Sequence, residues 1–446
     1  MRKRTIFGAI AGLCLVGAGT AAYVASPTVH EGQNGEAPEL GRPGEHQIGT
    51  TVKQFVLDGR TKITAWGAVT GNLTDADRTV SVRFWYPAAI KPGSRTAEYS
   101  HQMQLPGKEP IPLVSKGFAI PDAPALSGEK YPLVLMSHGF GGWDTQFSNL
   151  AEHIASHGYV VASIDHRDAP IDGVTSFLLS FGNVLVDRTL DQRQILTQIL
   201  QAAKAGPGGY TAQIDSENVG LIGYSMGGYG AIASAGAPYA YANDPMANIP
   251  EDARTAMQKA AEEKLPIKAL VAIAPWGGQP DSRAWNAASL AKITQPVLVI
   301  AGNQDDVVNF KEGVSWLFDN MTGSDRHMLV YREARHNIVG NEFELPADSA
   351  FTASEFLKEP VWRSDRLNAI NQHFVTAFLD LNLKGDTAKA DYLNVPTVDS
   401  NAGTWPTGFG EQLNGKMAGP DQENHWRGFQ RRWAVGLEMH RKEKRQ

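Results

Sequence analysis

Cysteine is nearly absent: the 446-residue chain has one, Cys14, and it falls within the first 25 residues. No intrachain disulfide can form, and the rest of the chain has no thiol for nucleophilic or redox chemistry. Metal patterns are missing too. There is no His-Glu-x-x-His, no cluster of ligating residues and no glycine loop ending in lysine to cradle a phosphate. Neither a metal nor an organic cofactor is expected. Glycine (45) and proline (25) stay below the level of low-complexity chains and follow no triplet period. The net charge is −6, but the basic residues gather at the two ends and leave the body acidic, so a nucleic-acid partner is not expected. The basic stretch 427–446 reads as a solvated terminus.

What is present begins with a leader. Arg2, Lys3 and Arg4 precede a mostly apolar run over 5–25, the pattern of an export signal. Thr20-Ala21-Ala22 suits cleavage, while the length of the run also suits a retained membrane anchor. The protein is therefore expected to be exported, secreted or periplasmic, or else anchored by this segment alone. Residues 26–50, rich in Gly, Pro, Glu and Gln, read as a flexible spacer. Residues 51–395 read as one catalytic domain, and 396–446 as an extension that packs on it or trails from it.

Within the domain, Val80, Val82 and Phe84 alternate as in a half-buried strand. The runs 133–137, 160–164, 219–222, 269–273 and 297–300 are short and continuously apolar, as parallel strands covered on both faces must be. Between two of them, 187–203 places Leu196, Ile199, Leu200 and Ala203 on one helical stripe. The alternation predicts an α/β fold, a doubly wound and mostly parallel sheet with helices on both faces and its site at the carboxyl ends of the strands.

Four local patterns carry chemistry. Gly223-Tyr224-Ser225-Met226-Gly227 follows a buried strand and opens a small-residue helix, the arrangement that exposes a nucleophilic serine on a sharp turn. His138-Gly139-Phe140-Gly141-Gly142 follows another strand, and acyl transfer needs two backbone N–H donors for a developing oxyanion. Phe140 and Met226 are the expected donors. Asp305 and Asp306 end the strand that begins at Val297, and Asp305, three residues after Gly302, is taken in preference to Asp306 as the partner of a histidine. His336, in the turn after the strand 328–331, then completes the chain order Ser, Asp, His. His373 lies on an amphipathic helix, 368–383, and reads as structural.

With these pieces in order the sequence resembles the α/β-hydrolase superfamily, in the branch of platelet-activating factor acetylhydrolase-like and dienelactone hydrolase-like serine esterases. The segment 78–87 (RTVSVRFWYP) is similar to that branch's leading strand, 187–199 to its helix before the nucleophile and 378–386 (FLDLNLKGD) to its closing helix. Residues 426–429 are taken as a closing strand. Ser225 stands where dienelactone hydrolases carry cysteine. The resemblance implies the α/β-hydrolase fold with small lid or insertion segments. It implies a serine carboxylic-ester hydrolase that cleaves small or short-acyl esters, small-molecule or lipid, through an acyl-enzyme. An acyltransferase on the same scaffold and a catalytically idle binding module are the alternatives. Segment 170–186, with Phe177 and Phe181, is expected to wall the acyl site or cover it, or else to pack in the core, and Trp276 to line the pocket or fill the core. Segment 237–266 reads as a surface excursion.

Overall fold

The computed structural model describes residues 35–64, 74–105, 108–206, 208–404, 424–430 and 433–445. The expected leader, with Cys14, lies outside them. Among the described residues no helix is long and apolar enough to cross a membrane, and no group of three ligating side chains could hold a metal ion.

The strands in chain order are β1 (Ile48–Lys62), β2 (Thr74–Pro87), β3 (Glu98–Met103), β4 (Ile111–Lys116), β5 (Ile120–Pro121), β6 (Tyr131–Ser137), β7 (Val160–Asp165), β8 (Ile214–Tyr224), β9 (Ile267–Ile273), β10 (Val297–Gly302), β11 (Arg326–Tyr331) and β12 (Leu437–Lys442). Ten of them form one sheet in the order β12-β11-β10-β9-β8-β6-β7-β2-β1-β5, and β3 pairs with β4 as a separate hairpin. From β11 to β7 every pairing is parallel. The strand order reverses between β6 and β8, and loops leaving the two strands there diverge to open a crevice. Two strands of this parallel region, β6 and β10, are buried along their whole length, which is why their sequences are continuously apolar.

The main helices are α1 (Ser148–Ser156), α2 (Val174–Ala205), α3 (Met226–Ser234), α4 (Glu251–Glu262), α5 (Phe351–Leu357) and α6 (Ser364–Leu383). α1 and α6 pack on one another and on the sheet, while α2, α3 and α4 pack together elsewhere on it. α2 begins thirteen residues before the helix expected from its apolar stripe. Its first half, 174–186, lacks charge and contains Gly182, so it shows no amphipathic signature, but Asn183 bonds to both the N–H and the carbonyl of Ile63 and fixes it there. The excursion 237–266 carries α4, which turns Ala253 and Met257 inward.

Three expectations need correction. β2 is covered on both faces rather than half-buried: Trp85 is as buried as Phe84, and its indole N–H donates to Tyr99 Oη (2.8 Å) on the β3–β4 hairpin. The spacer is not free after residue 35. Leu40 N donates to His373 Nδ1 (3.1 Å), Glu39 N to the Gly428 carbonyl, and Gly44 lies against the Ser156 carbonyl, too close for any Cβ. Residues 426–429 are not a strand. Trp426 and Phe429 pack their rings on Phe374 of α6, and the closing strand is β12, antiparallel to β11, with Leu437 and Met439 buried in alternation. The basic residues that suggested a solvated tail sit around that two-residue period.

Several histidines are walled in. His153 of α1 bonds to Thr376 of α6 (3.0 Å), and His138 and His166 follow β6 and β7. Burial pushes the imidazoles down, His166 to about 4, His373 to about 3, and His138 and His153 well below the usual range. In the unfolded chain each would take a proton near pH 6.5. Below that pH the unfolded state binds more protons than the folded one, so stability falls with acidification, by about 1.4 kcal/mol per pH unit for each such histidine. Thermal melts between pH 7 and 4.5 should therefore show a steep loss that begins above the carboxylate range. A melting temperature flat down to pH 4.5 would contradict neutral burial.

Candidate active site

Ser225 separates β8 from α3, and its backbone is at φ 52°, ψ −116°, strained for any residue with a side chain. Its N–H donates to the Ile273 carbonyl (2.9 Å) and its carbonyl accepts from Trp276 N (3.1 Å), so β9 and the turn after it grip the residue from both sides. Glycine is required around it by contact. A Cβ on Gly223 would overlap the Gly227 carbonyl, and one on Gly227 would overlap the Ser137 carbonyl and lie 2.7 Å from that of His138. The turn is therefore wedged between the ends of β6 and β8.

His336 arrives from the loop after β11 with Nε2 3.1 Å from Ser225 Oγ and Nδ1 2.8 Å from Asp305 Oδ2. The other oxygen of Asp305 accepts from the N–H groups of Val307 (3.0 Å) and Val308 (3.1 Å), which fixes the carboxylate and leaves Oδ2 for the imidazole. Nδ1 then carries the proton, and Nε2 is free to accept from the serine hydroxyl. Asp306, the neighbouring carboxylate, is 66% exposed and pairs with Arg335 at the surface, away from the histidine. The three residues expected from the sequence are thus brought together, and the preference for Asp305 agrees with the geometry.

The two expected backbone donors flank the serine. Met226 opens α3, so its N–H has no partner within the helix. Phe140 follows Gly139, whose added Cβ would lie 3.2 Å from Ser225 Cβ, and its N–H donates to no group among the described residues. The Phe140 ring begins an edge-to-face row, with Phe181 at 6.0 Å and Trp276 at 5.4 Å beyond it. Phe177 joins Phe140 at 5.8 Å and is 42% exposed. Its two ends belong to residues next to the serine in the structure: Trp276 N bonds to the Ser225 carbonyl, and Gly139, just before Phe140, packs against Ser225.

Other residues around the site gave no sequence signal. Glu359, nearly buried, accepts from Arg335 N (2.9 Å), and Asn337 donates to the Glu355 and Lys358 carbonyls, so the segment at the end of α5 clamps both neighbours of His336. Beneath the Phe140 turn, Arg188 of α2 forms a bidentate pair with Asp168 (2.7 and 2.6 Å), and Asp168 Oδ2 also accepts from Gly141 N (2.8 Å). Burial alone would raise the Asp168 carboxyl, but the guanidinium against it holds it well below the usual carboxylate range. A second chain, Ser137–His166–Asp191, runs Oγ to Nε2 (2.7 Å) and Nδ1 to Oδ2 (2.8 Å), wholly buried. Only isolated residue types mark these groups along the sequence; their partners lie 18 to 29 residues away or more.

The fold agrees with solved structures of known proteins. A ferulic acid esterase from Streptomyces cinnamoneus superposes with a TM-score of 0.52 over 78% of this chain and 94% of its own, at 19% identity. The chain has the α/β-hydrolase fold. Residues 115–179 match the family described as platelet-activating factor acetylhydrolase, isoform II, which bears out that likeness over the segment carrying β6, the Phe140 turn, β7 and Asp168. The platelet-activating factor acetylhydrolase of Canis lupus familiaris is 32% identical over 107 residues, 20% of this chain and 23% of that protein. That of Cavia porcellus is 45% identical over 47 residues, 10% and 11%. A putative phospholipase A2 of Schizosaccharomyces pombe is 34% identical over 111 residues, 20% and 25%. The chain thus spans a quarter or less of the length of these curated relatives.

The wedge around the serine makes a stability prediction. Gly227→Ala should cost about 3 kcal/mol or more, because the clash is with backbone that cannot move without parting β6 from β8. Gly173→Ala, where an added Cβ meets nothing within 4 Å, should melt close to the wild type. Equal melting temperatures for the two variants would contradict the packing.

Proposed function

We propose that the protein is a serine carboxylic-ester hydrolase acting on small or short-acyl esters, small-molecule or lipid. The observation that carries this reading is the Ser225–His336–Asp305 chain, at 3.1 and 2.8 Å, standing on a strained turn beside two unspent backbone N–H groups. The acetylhydrolase and phospholipase names of the partial relatives, and the esterase fold neighbour, support the same class.

In this mechanism Ser225 Oγ attacks the ester carbonyl carbon while its proton passes to His336 Nε2. Asp305 holds the imidazole in the required tautomer and stabilises the imidazolium. The carbonyl oxygen, now carrying the charge, is met by the N–H groups of Phe140 and Met226. Collapse of the tetrahedral adduct breaks the bond to the alcohol, which leaves with the proton from Nε2. Water then attacks the acyl-serine, gives its proton to Nε2, and the acid departs as Ser225 recovers its hydrogen. The Phe140, Phe181 and Trp276 row gives the acyl group an apolar seat. Export by the leader, or anchoring through it, belongs to the same proposal.

Hydrolysis of p-nitrophenyl esters from acetate to palmitate by the leaderless protein tests the reading. Activity should be greatest on the short chains, and Ser225→Ala should lower kcat by about 10⁶. Asp305→Asn should lower it by about 10⁴, whereas Asp306→Asn should leave it close to wild type. Activity that survives in Ser225→Ala would overturn the assignment of the nucleophile, and a maximum at palmitate would overturn the short-acyl preference.

A further inference from the structure

The peptide joining Gly139 to Phe140 is trans, so its carbonyl and its N–H point in opposite directions and cannot be set independently. Whatever holds the Gly139 oxygen aims the Phe140 N–H. Two side chains hold it. The Arg188 guanidinium, fully buried, donates from Nη2 at 2.8 Å. His138 Nδ1 lies 2.7 Å away, and because His138 Nε2 accepts from His166 N (3.0 Å), the imidazole proton must be on Nδ1 and donated to the same oxygen. The next peptide is fixed as well, since Gly141 N donates to Asp168, which is itself gripped by both arms of Arg188.

The other donor is braced from the same helix. Gln192, one turn after Arg188 on α2, donates from Nε2 to the Gly227 carbonyl (3.0 Å) in the first turn of α3, next to Met226. Residues four apart on a helix share a face, so a single rigid element reaches both sides of the space where the oxyanion would form. Gly230 of α3 permits the approach, since a Cβ there would lie 3.0 Å from Arg188 Cβ.

We infer that Arg188, with Asp168 as its counter-ion, is a positioning residue that aims the Phe140 N–H at the reacting oxygen. This rests on the reading of Phe140 as an oxyanion donor given above. A guanidinium suits the task because its planar fork can bind a carboxylate through two nitrogens while one of them also reaches a carbonyl; an ammonium offers no such fork. The residue touches neither substrate nor the Ser225–His336–Asp305 chain. Its removal should therefore weaken transition-state stabilisation and leave the histidine's titration alone.

The test compares Arg188→Gln, Arg188→Lys, Asp168→Asn and Ser225→Ala in the leaderless protein, with p-nitrophenyl acetate as substrate. Rates of the wild type and of the Arg188 and Asp168 variants are divided by active sites titrated to completion with a fluorophosphonate, that of Ser225→Ala by protein concentration, and folding is followed by thermal melting. Arg188→Gln should lower kcat per titrated site about 100-fold with KM changed by less than about threefold, as loss of one oxyanion donor does. Affinity for a trifluoromethyl ketone, whose serine adduct carries the oxyanion, should fall in parallel. Arg188→Lys should restore part of the rate, and the acid limb of the pH profile should stay in place. If Arg188→Gln does not fold, Asp168→Asn decides, with an expected fall of about tenfold in kcat. A folded Arg188→Gln with wild-type kcat per site, or a folded Asp168→Asn with wild-type kcat where Arg188→Gln fails to fold, would overturn the inference while inactive Ser225→Ala left the esterase reading standing. Activity in Ser225→Ala would overturn that reading itself.

Discussion

The site depends on one residue being held where it does not belong. Ser225, at φ 52° and ψ −116°, occupies backbone space that costs a side-chain-bearing residue about 1–3 kcal/mol, and nothing local to the turn offsets it. The compensation comes from β9, which bonds both the N–H and, through the turn that follows, the carbonyl of the serine. It also comes from the close approach of α3 to the end of β6, which only glycine at 227 permits. Three parallel strands must therefore be in register before the hydroxyl stands clear. The same registration brings the Phe140 turn, which leaves β6, against the serine through Gly139, so Ser225 and that turn are placed by one packing event at the point where the strand order reverses.

Around this wedge the protein buries more polarity than an apolar core would. Arg60, Arg78, Asp187, Asp191, His166, Asp168 and Arg188 lie in one region beneath the β6 and β7 loops, with Arg60 and Arg78 reaching from β1 and β2 to the two aspartates of α2. Removing charges from water is expensive, and pairs of this kind add little to stability against a hydrophobic replacement. Their directionality is the gain. An apolar contact would fill the space under Gly139 but could not orient a carbonyl, whereas an arginine fork does so within a narrow range of angles. The neutral state of His138 belongs to the same logic: burial first, then the Arg188 charge, keeps it unprotonated, and only a neutral imidazole can accept from His166 N at Nε2 while donating to Gly139 at Nδ1.

The sequence made legible what is local and periodic. Continuous apolar runs marked the parallel strands, and the glycine spacing around Ser225 marked a turn whose demands are steric and confined to five residues. Asp305 could be told from Asp306 because its distance from the end of β10 is a local quantity too. What stayed hidden was set by contacts between distant segments. Nothing in Asp168 or Arg188 alone says that they meet, and Glu359 looks like any other surface glutamate until the His336 loop folds onto it. The early start of α2 was hidden because its first turns present no polar face, and β12 because its flanking charges drowned an alternation of only two buried residues, Leu437 and Met439. Each miss has the same form: local propensity was weak, and a tertiary partner decided the outcome.

The second chain, Ser137–His166–Asp191, shows how little connectivity alone accomplishes. Its hydrogen bonds, at 2.7 and 2.8 Å, are at least as short as those of Ser225–His336–Asp305, and its atoms are joined in the same order. Yet Ser137 closes β6 with its backbone in the parallel ladder, in an ordinary extended conformation, and its hydroxyl is committed to a histidine that is itself wholly buried. His166 is closed off completely and pushed down to about 4 by burial and by the Arg188 charge, so the imidazolium that attack would create is disfavoured where it would form. Ser225 differs in the three respects that chemistry requires. It stands on a strained turn rather than in a ladder, its histidine reaches the edge of solvent, and the N–H of Met226 beside it opens a helix with no partner inside that helix. The fold has built the same hydrogen-bonded chain twice, once buried beneath the Phe140 turn and once on the turn at Ser225, and the exposure of the histidine and the strain of the serine's backbone separate the two.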